Sequence, residues 1–178
     1  MLKLKSVCIL YSSTDGQTLK ICNYIAENIS NKGIETCIQD INSFSSNVIA
    51  FDTIVIGASI RYGHHRKIVF RFIDKYRHAL EKINTGFFSV NLVARKKAKN
   101  TPDTNPYVIN FLDKMRWEPK VKSVFAGRLD YGSYSILDKL IIKLIMKLTN
   151  GPVKSDTPIE YTSWDKVDEF IENICKNL

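Results

Sequence analysis

The chain has 178 residues, 44% of them hydrophobic and 25% charged, the proportions of an ordinary globular protein long enough for one full core. No apolar stretch approaches the roughly 20 residues that a bilayer-crossing helix needs. The opening run MLKLKSVCILYSS also lacks the small-residue cleavage pattern of a secretory leader, so neither a span nor a signal peptide is expected. The net charge of +8 is the unusual bulk property, because it implies an anionic partner: nucleic acid, lipid headgroups or an acidic small molecule.

Taken in chain order, two hydrophobic periods alternate. Residues 6–11 (SVCILY) are a nearly continuous apolar run, the pattern of a strand covered on both faces. A polar turn over 12–17 leads into residues 18–31, where Leu19, Cys22, Ile25, Ala26 and Ile29 recur at helical spacing until Gly33 stops the helix. Residues 34–39 (IETCIQ) alternate as a strand does, and 53–58 (TIVIGA) is a second buried run. A helix follows over 68–80, a strand over 87–92, a helix over 105–115 and a strand over 122–126. The last helix covers 164–175, with Ser163 placed to cap it. Buried strands separated by helices need crossover connections, so the pattern predicts an α/β layered domain on a parallel sheet. Of the four cysteines, Cys8, Cys22, Cys37 and Cys175, three fall in apolar periodic segments. That is the use of cysteine as a small hydrophobe in a reducing compartment, not as a zinc ligand.

Parallel sheets bind ligands at the carboxyl ends of their strands, which singles out three loops. The first holds Ser12, Ser13, Thr14, Asp15, Gly16, Gln17 and Thr18. Its hydroxyls can surround a phosphate together with the N–H groups of the helix's first turn, where the macrodipole favours an anion. Composition alone equally allows plain helix capping. The absence of lysine excludes the loop of nucleoside triphosphatases, and there is no G-x-G-x-x-G dinucleotide fingerprint. The second loop holds Ala58, Ser59, Ile60, Arg61, Tyr62 and Gly63. Small residues let backbone approach a flat ring, and Tyr62 is placed either to stack on it or to pack on the surface. His64 and His65 read as a solvated pair with no metal-ligating company. The third loop, Ser89, Val90, Asn91, Leu92, Val93 and Ala94, leads into the basic run that begins Arg95-Lys96. Three loops of this make would converge on one planar, phosphorylated ligand.

Together the segments SSTDGQT, IGASIRYGHH, FSVNLVARK and IIKLIMKLTNG resemble the flavodoxin-like protoporphyrinogen oxidases, the quinone-dependent protoporphyrinogen IX dehydrogenases of bacterial haem synthesis. The resemblance runs nearly end to end. The first turn has Asp15-Gly16 where a general flavodoxin signature has Thr-Gly, and His65-Arg66-Lys67 is more basic than the family's pattern. The resemblance implies one flavodoxin-like domain over residues 1–178, with a doubly wound five-stranded parallel sheet of order 2-1-3-4-5. It implies the long-chain type, with 129–153 as an insertion in the last strand and 122–128 and 159–162 as two halves of that strand. It further implies FMN as cofactor, its phosphate held by residues 13–18 and its ring flanked by 58–63 and 89–94. The implied reaction oxidises protoporphyrinogen IX to protoporphyrin IX, in three two-electron cycles, and passes the electrons to a membrane quinone, menaquinone or ubiquinone. Because a flavin carries such chemistry, no acid–base pair of side chains is expected. Arg61, Arg95 and Lys96 are the cations nearest the expected ring and are candidates to pair with the substrate's propionates.

The charge is concentrated where this reading needs explaining. Residues 61–154 hold 20 basic and 7 acidic side chains, against 4 and 5 in 1–60 and 2 and 6 in 155–178. Within the basic region, residues 135–149 (SILDKLIIKLIMKLT) place Lys139, Lys143 and Lys147 in one stripe and apolar side chains over most of the rest. Three fates fit that pattern: a crossover helix packed on the sheet, a dimer contact, or a helix lying in a membrane interface with its lysines on anionic headgroups. The charge map favours the last, and with it a peripheral location on the cytoplasmic face of the bacterial inner membrane. An NAD(P)H:quinone reductase and an electron-carrier flavodoxin are the alternatives on the same scaffold, although carriers are usually acidic. Nucleic-acid binding has no helix-turn-helix, zinc or RNA-recognition pattern behind it.

Overall fold

The computed structural model describes residues 5–148, 151–155 and 157–178. Outside it lie the first four residues of the expected domain and of the opening run, Thr149 at the end of the basic segment, and part of 129–153. The strands, in chain order, are β1 (Ser6–Ser12), β2 (Glu35–Asp40), β3 (Thr53–Arg61), the two-residue β4 (His64–His65), β5 (Asn84–Val90) and β6 (Val121–Phe125). Five of them run parallel in the order β2-β1-β3-β5-β6, with β4 folded back antiparallel on the end of β3. Counted over the five long strands, this is the order 2-1-3-4-5.

The continuous apolar runs follow from the layering. In β1, Val7 and Ile9 point to one face of the sheet, where helix α1 (Gln17–Ser30) packs; Cys8 and Leu10 point to the other, under α2 (Lys67–Leu80) and α3 (Pro106–Met115). Phe87 and Phe88 divide in the same way, so a central strand has no polar face to show in its sequence. Each helix commits one stripe: Ile21, Cys22, Ile25 and Ile29 of α1, and Val69, Phe72 and Ile73 of α2, are almost fully buried.

After β6 the chain leaves the sheet. It forms β7 (Arg128–Leu129), α4 (Ile136–Leu148) and β8 (Ile159–Glu160) before returning to α5 (Trp164–Lys176), which packs beside α1. Ser163 sits at the N-cap of α5 but its side chain makes no capping bond. The expectation that 122–128 and 159–162 form one interrupted strand is corrected here. Only Val121–Phe125 pairs with β5, whereas β8 runs antiparallel to β7, Arg128 opposite Glu160 and Leu129 opposite Ile159. The Tyr161 N–H donates to the Gly127 carbonyl (3.1 Å) and the Thr162 hydroxyl to the Ala126 carbonyl (2.7 Å). The returning chain therefore lies beside the outgoing one instead of extending it. This excursion has its own small core of Leu129, Tyr131, Tyr134 and Met146. Helix α4 is not a crossover helix on the sheet: it buries Asp138 and Met146 and leaves Ile136, Leu137, Leu140, Leu144 and Leu148 at 58–82% exposure.

Candidate active site

The turn from β1 into α1 has the features of an anion cup. Gly16 holds the N-cap of α1 at φ +83°, a left-handed conformation that a Cβ would disfavour, and its N–H donates to Ser13 Oγ (3.2 Å). The first N–H groups of a helix have no acceptors within it. Beside them, Ser12 Oγ and Thr18 Oγ1 are buried without a hydrogen-bond partner among the described residues. A buried hydroxyl left unpaired costs about 1–3 kcal/mol, so Thr18, in the first turn of α1, marks a place that an acceptor completes, whereas Ser12 is sealed within the end of β1. The third such atom, Thr53 Oγ1, lies at the opposite end of the sheet, at the start of β3.

Residues of the three loops line one cleft. The cleft, with about 860 Å³ of atom-free space counted out to its open mouth, is lined by Ser13, Asp15, Gln17 and Thr18, by Ser59 through Gly63, and by Val90 through Val93. Ser12, Thr14, Gly16, Ala58, Ser89 and Ala94 shape these loops without lining the cleft. Sequence reasoning missed the rest of the lining: Tyr107 from α3, Gly127 and Arg128 from the neck of the excursion, and Tyr134, Asp138, Ile141, Ile142 and Ile145 above it. Helix α4 thus roofs the cleft with three isoleucines. No local signal could announce this, since a helical period does not say which body the helix packs on.

The middle loop is pinned to that roof. Tyr62 and Gly63 form the two-residue turn between β3 and β4, both at positive φ (+50° and +80°), as a primed hairpin turn requires. Tyrosine adopts this conformation rarely, and here it sits on the cleft. The Tyr62 hydroxyl donates to Asp138 Oδ1 (2.7 Å), so the side chain is tied to α4 and not free to stack. Arg61 Nη1 donates to both oxygens of Asp15 (3.0 Å each), and Nη2 donates to Asp138 Oδ2 (2.5 Å). Ser135 Oγ donates to the same Oδ2 (2.6 Å). The Ser135 hydroxyl foremost, then the Tyr62 hydroxyl, with the Arg61 charge, hold the Asp138 carboxyl below its ordinary range against the opposing effect of desolvation.

The histidine pair is not solvated as expected. His64 is exposed, but His65 is 4% exposed, flanked by the rings of Phe87 and Phe111, with Nε2 3.0 Å from Ser89 Oγ. Asn91 Nδ2 donates to that Oγ (3.3 Å), and Asn91 Oδ1 accepts from the Ala94 N–H (3.1 Å) and from Asn105 Nδ2 (3.2 Å). This buried chain fixes the 89–94 loop. Burial, with a smaller push from His64, takes the His65 pKa down to about 3, so its ring is neutral.

The remaining expected cations stand apart. Arg95 Nη1 donates to the Leu92 carbonyl (3.0 Å), and a methyl group on Gly151 would meet Arg95 Nη2 at 2.6 Å. Arg95 therefore lies close against the returning limb of the excursion. Neither Arg95 nor Lys96 lines the cleft. Lys143 and Lys147 are exposed and Lys139 is half-buried. Among the described residues there is no group of three His, Cys, Asp or Glu side chains placed to hold a metal. Nor, among them, is any helix long and apolar enough to cross a membrane.

A parallel sheet of this order, with a hydroxyl-lined turn after its first strand and two further strand-end loops meeting it, defines the flavodoxin class of flavin-nucleotide sites. The family profile described as Flavodoxin domain matches residues 8–156, and the chain belongs to that family. Within it, the chain is 39% identical to the protoporphyrinogen IX dehydrogenase (quinone) of Escherichia coli strain K12, over 94% of this chain and 93% of that one. It is 40% identical to the protein of the same name from Leishmania major, over 94% of this chain and 73% of that one. Among solved structures it superposes on oxidised flavodoxin 1 from Bacillus cereus with a TM-score of 0.51 at 14% identity, covering 98% of this chain and 99% of the other. With two-electron reduced Megasphaera elsdenii flavodoxin the TM-score is 0.52 at 15% identity, covering 66% and 84%. FMN is the cofactor of this fold, and the residues present fit it. The unpaired Thr18 hydroxyl, Ser13 and the α1 amides suit a phosphate, and the one carboxylate in the turn, Asp15, is neutralised by Arg61.

Proposed function

We propose that the chain oxidises protoporphyrinogen IX to protoporphyrin IX, with FMN in the cleft and a membrane quinone as acceptor. The observation that carries the reading is the cleft itself. Its floor completes a phosphate site and its roof, Ile141, Ile142 and Ile145, makes an apolar space for a flat macrocycle. The 39% identity to an enzyme named for this reaction, over nearly the whole of both chains, supports the same substrate and acceptor. Each of three rounds removes two electrons and two protons from the porphyrinogen and reduces one quinone to its quinol; the bound flavin supplies the transfer of the electrons. The protein's own residues bind and orient. Ser13 and Thr18 would hold the phosphate, residues 59–63 and 90–93 would flank the ring, the buried His65–Ser89–Asn91 chain keeps the second of these loops in place, and α4 excludes water from above.

The same reading seats the protein on a membrane, where a lipid-soluble quinone is found. On α4, Ile136, Leu137, Leu140, Leu144 and Leu148 are exposed beside Lys143 and Lys147. Taking such side chains out of water is worth about 1.5–3 kcal/mol each when complete, and each lysine near an anionic surface adds about 1 kcal/mol. This face supports a seat on an anionic membrane surface, which we propose to be the cytoplasmic face of the bacterial inner membrane. The test of the reaction is anaerobic turnover of protoporphyrinogen IX followed by porphyrin fluorescence. Quinone-dependent formation of porphyrin is expected; rapid NADPH:quinone turnover without porphyrinogen oxidation would overturn the assignment. The test of location is co-sedimentation with phosphatidylglycerol vesicles, expected to be strong at low salt and weak with phosphatidylcholine alone.

A further inference from the structure

Arg61 and Tyr62 already bind a carboxylate, and it belongs to the roof. One oxygen of Asp138 takes the Tyr62 hydroxyl at 2.7 Å and the other takes Arg61 Nη2 at 2.5 Å. A guanidinium and a phenol converging on the two oxygens of one carboxylate make a recognition geometry for an external acid as much as for an internal one. We infer that Arg61 and Tyr62 are the docking point for a substrate carboxylate, and that Asp138 is an internal stand-in which the substrate displaces, releasing the first turn of α4. This rests on the reaction proposed above.

Both partners of the bond are built for the exchange. Arg61 is anchored from below, since Nη1 is held by Asp15 of the phosphate turn and stays so whichever acid sits on Nη2. Asp138 is 7% exposed on a helix that otherwise buries only Met146, so the Asp138 end of α4 is held by polar bonds and not by a packed core. Replacing one carboxylate by another on the same donors leaves Arg61 paired throughout, and the displaced Asp138 reaches water, so the exchange avoids the penalty of an unpaired buried charge. The apolar lining beyond, Leu92, Val93, Ile141 and Ile142, would face the body of the macrocycle while its acid end meets Arg61.

The experiment uses the FMN-loaded full chain, with Asp138→Asn to remove the competing charge at constant size. The probes are protoporphyrin IX and its dimethyl ester, their binding read by fluorescence. Hydrogen–deuterium exchange over residues 136–148 reads the roof. The free acid is expected to bind Asp138→Asn about tenfold more tightly than the wild type, about 1.4 kcal/mol, with the ester unchanged. Exchange in α4 is expected to accelerate in the variant, and in the wild type on adding the free acid but not the ester. Ser135→Ala, which removes one bond to Asp138 without touching Arg61, is expected to act in the same direction more weakly. Unchanged or weakened binding of the free acid, equal tightening of the ester, or unaltered exchange in α4 would overturn the inference. Wild-type turnover of porphyrinogen separates the two levels. Turnover with no effect of Asp138→Asn removes the stand-in alone, whereas absence of turnover removes the reaction, and the exchange rates of wild type and variant still decide whether Asp138 holds the roof.

Discussion

The sheet with its four helices and the excursion that carries α4 are held together by different forces. In the first, apolar side chains fill both faces: Phe88 is fully buried against Phe125 and Phe170, and a methyl group on Gly57 would meet its ring at 2.3 Å. In the second, four residues make the core and the first turn of the roof helix hangs on Arg61, Tyr62 and Ser135, while its leucines face outward. The division places a rigid floor under the cofactor and a weakly held cover over it. Regions that must open are drawn from the low-stability part of a fold, and here that part also carries the exposed leucines of α4.

The largest expected effect lies in the floor. Phe88→Ala should lower unfolding free energy by about 3–5 kcal/mol, read from urea midpoints. Next comes pH. The His65 pKa is about 3 in the fold and about 6.5 when exposed, so the unfolded chain takes up the proton first as pH falls. Stability from this group is complete above about pH 6.5 and is lost towards pH 3, at a slope approaching 1.4 kcal/mol per pH unit. Urea midpoints compared at pH 7.5 and 4.5 should show that loss in the wild type, and His65→Asn should remove this component. Thr18→Val is expected to separate binding from stability. The hydroxyl has no partner among the described residues, so the apoprotein should be no less stable, while FMN affinity should fall by about 1.5–3 kcal/mol for a lost bond to a charged group, measured by flavin fluorescence. The smallest effect on stability belongs to the roof. Leu140→Ser with Leu144→Ser should shift unfolding by no more than about 0.5 kcal/mol and yet abolish most vesicle binding. A large loss of stability there would mean that the two regions are packed alike.

Much of the floor was legible because its signals are local. The run SVCILY, the helical spacing from Leu19 to Ile29 and the hydroxyl-rich turn between them each depend on neighbours a few residues away. The site's other half depends on distance. Asp138 meets Arg61 across 77 positions, and its role could not be read from a helix in which it looks like one more polar residue. His65 looks like its exposed neighbour until the fold places Phe111 and Ser89 against it. Arg95 has the charge of a substrate ligand, but the fold lays it beside Gly151, more than fifty residues later, and outside the cleft lining.

The most direct measurement is titration of the apoprotein with FMN and, separately, with riboflavin, which keeps the ring and lacks the phosphate. FMN is expected to bind at least about a hundredfold more tightly, with most of the difference lost in Thr18→Val combined with Ser13→Ala. Equal affinity for the two flavins, or no binding of either, would contradict a phosphate cup at the end of β1.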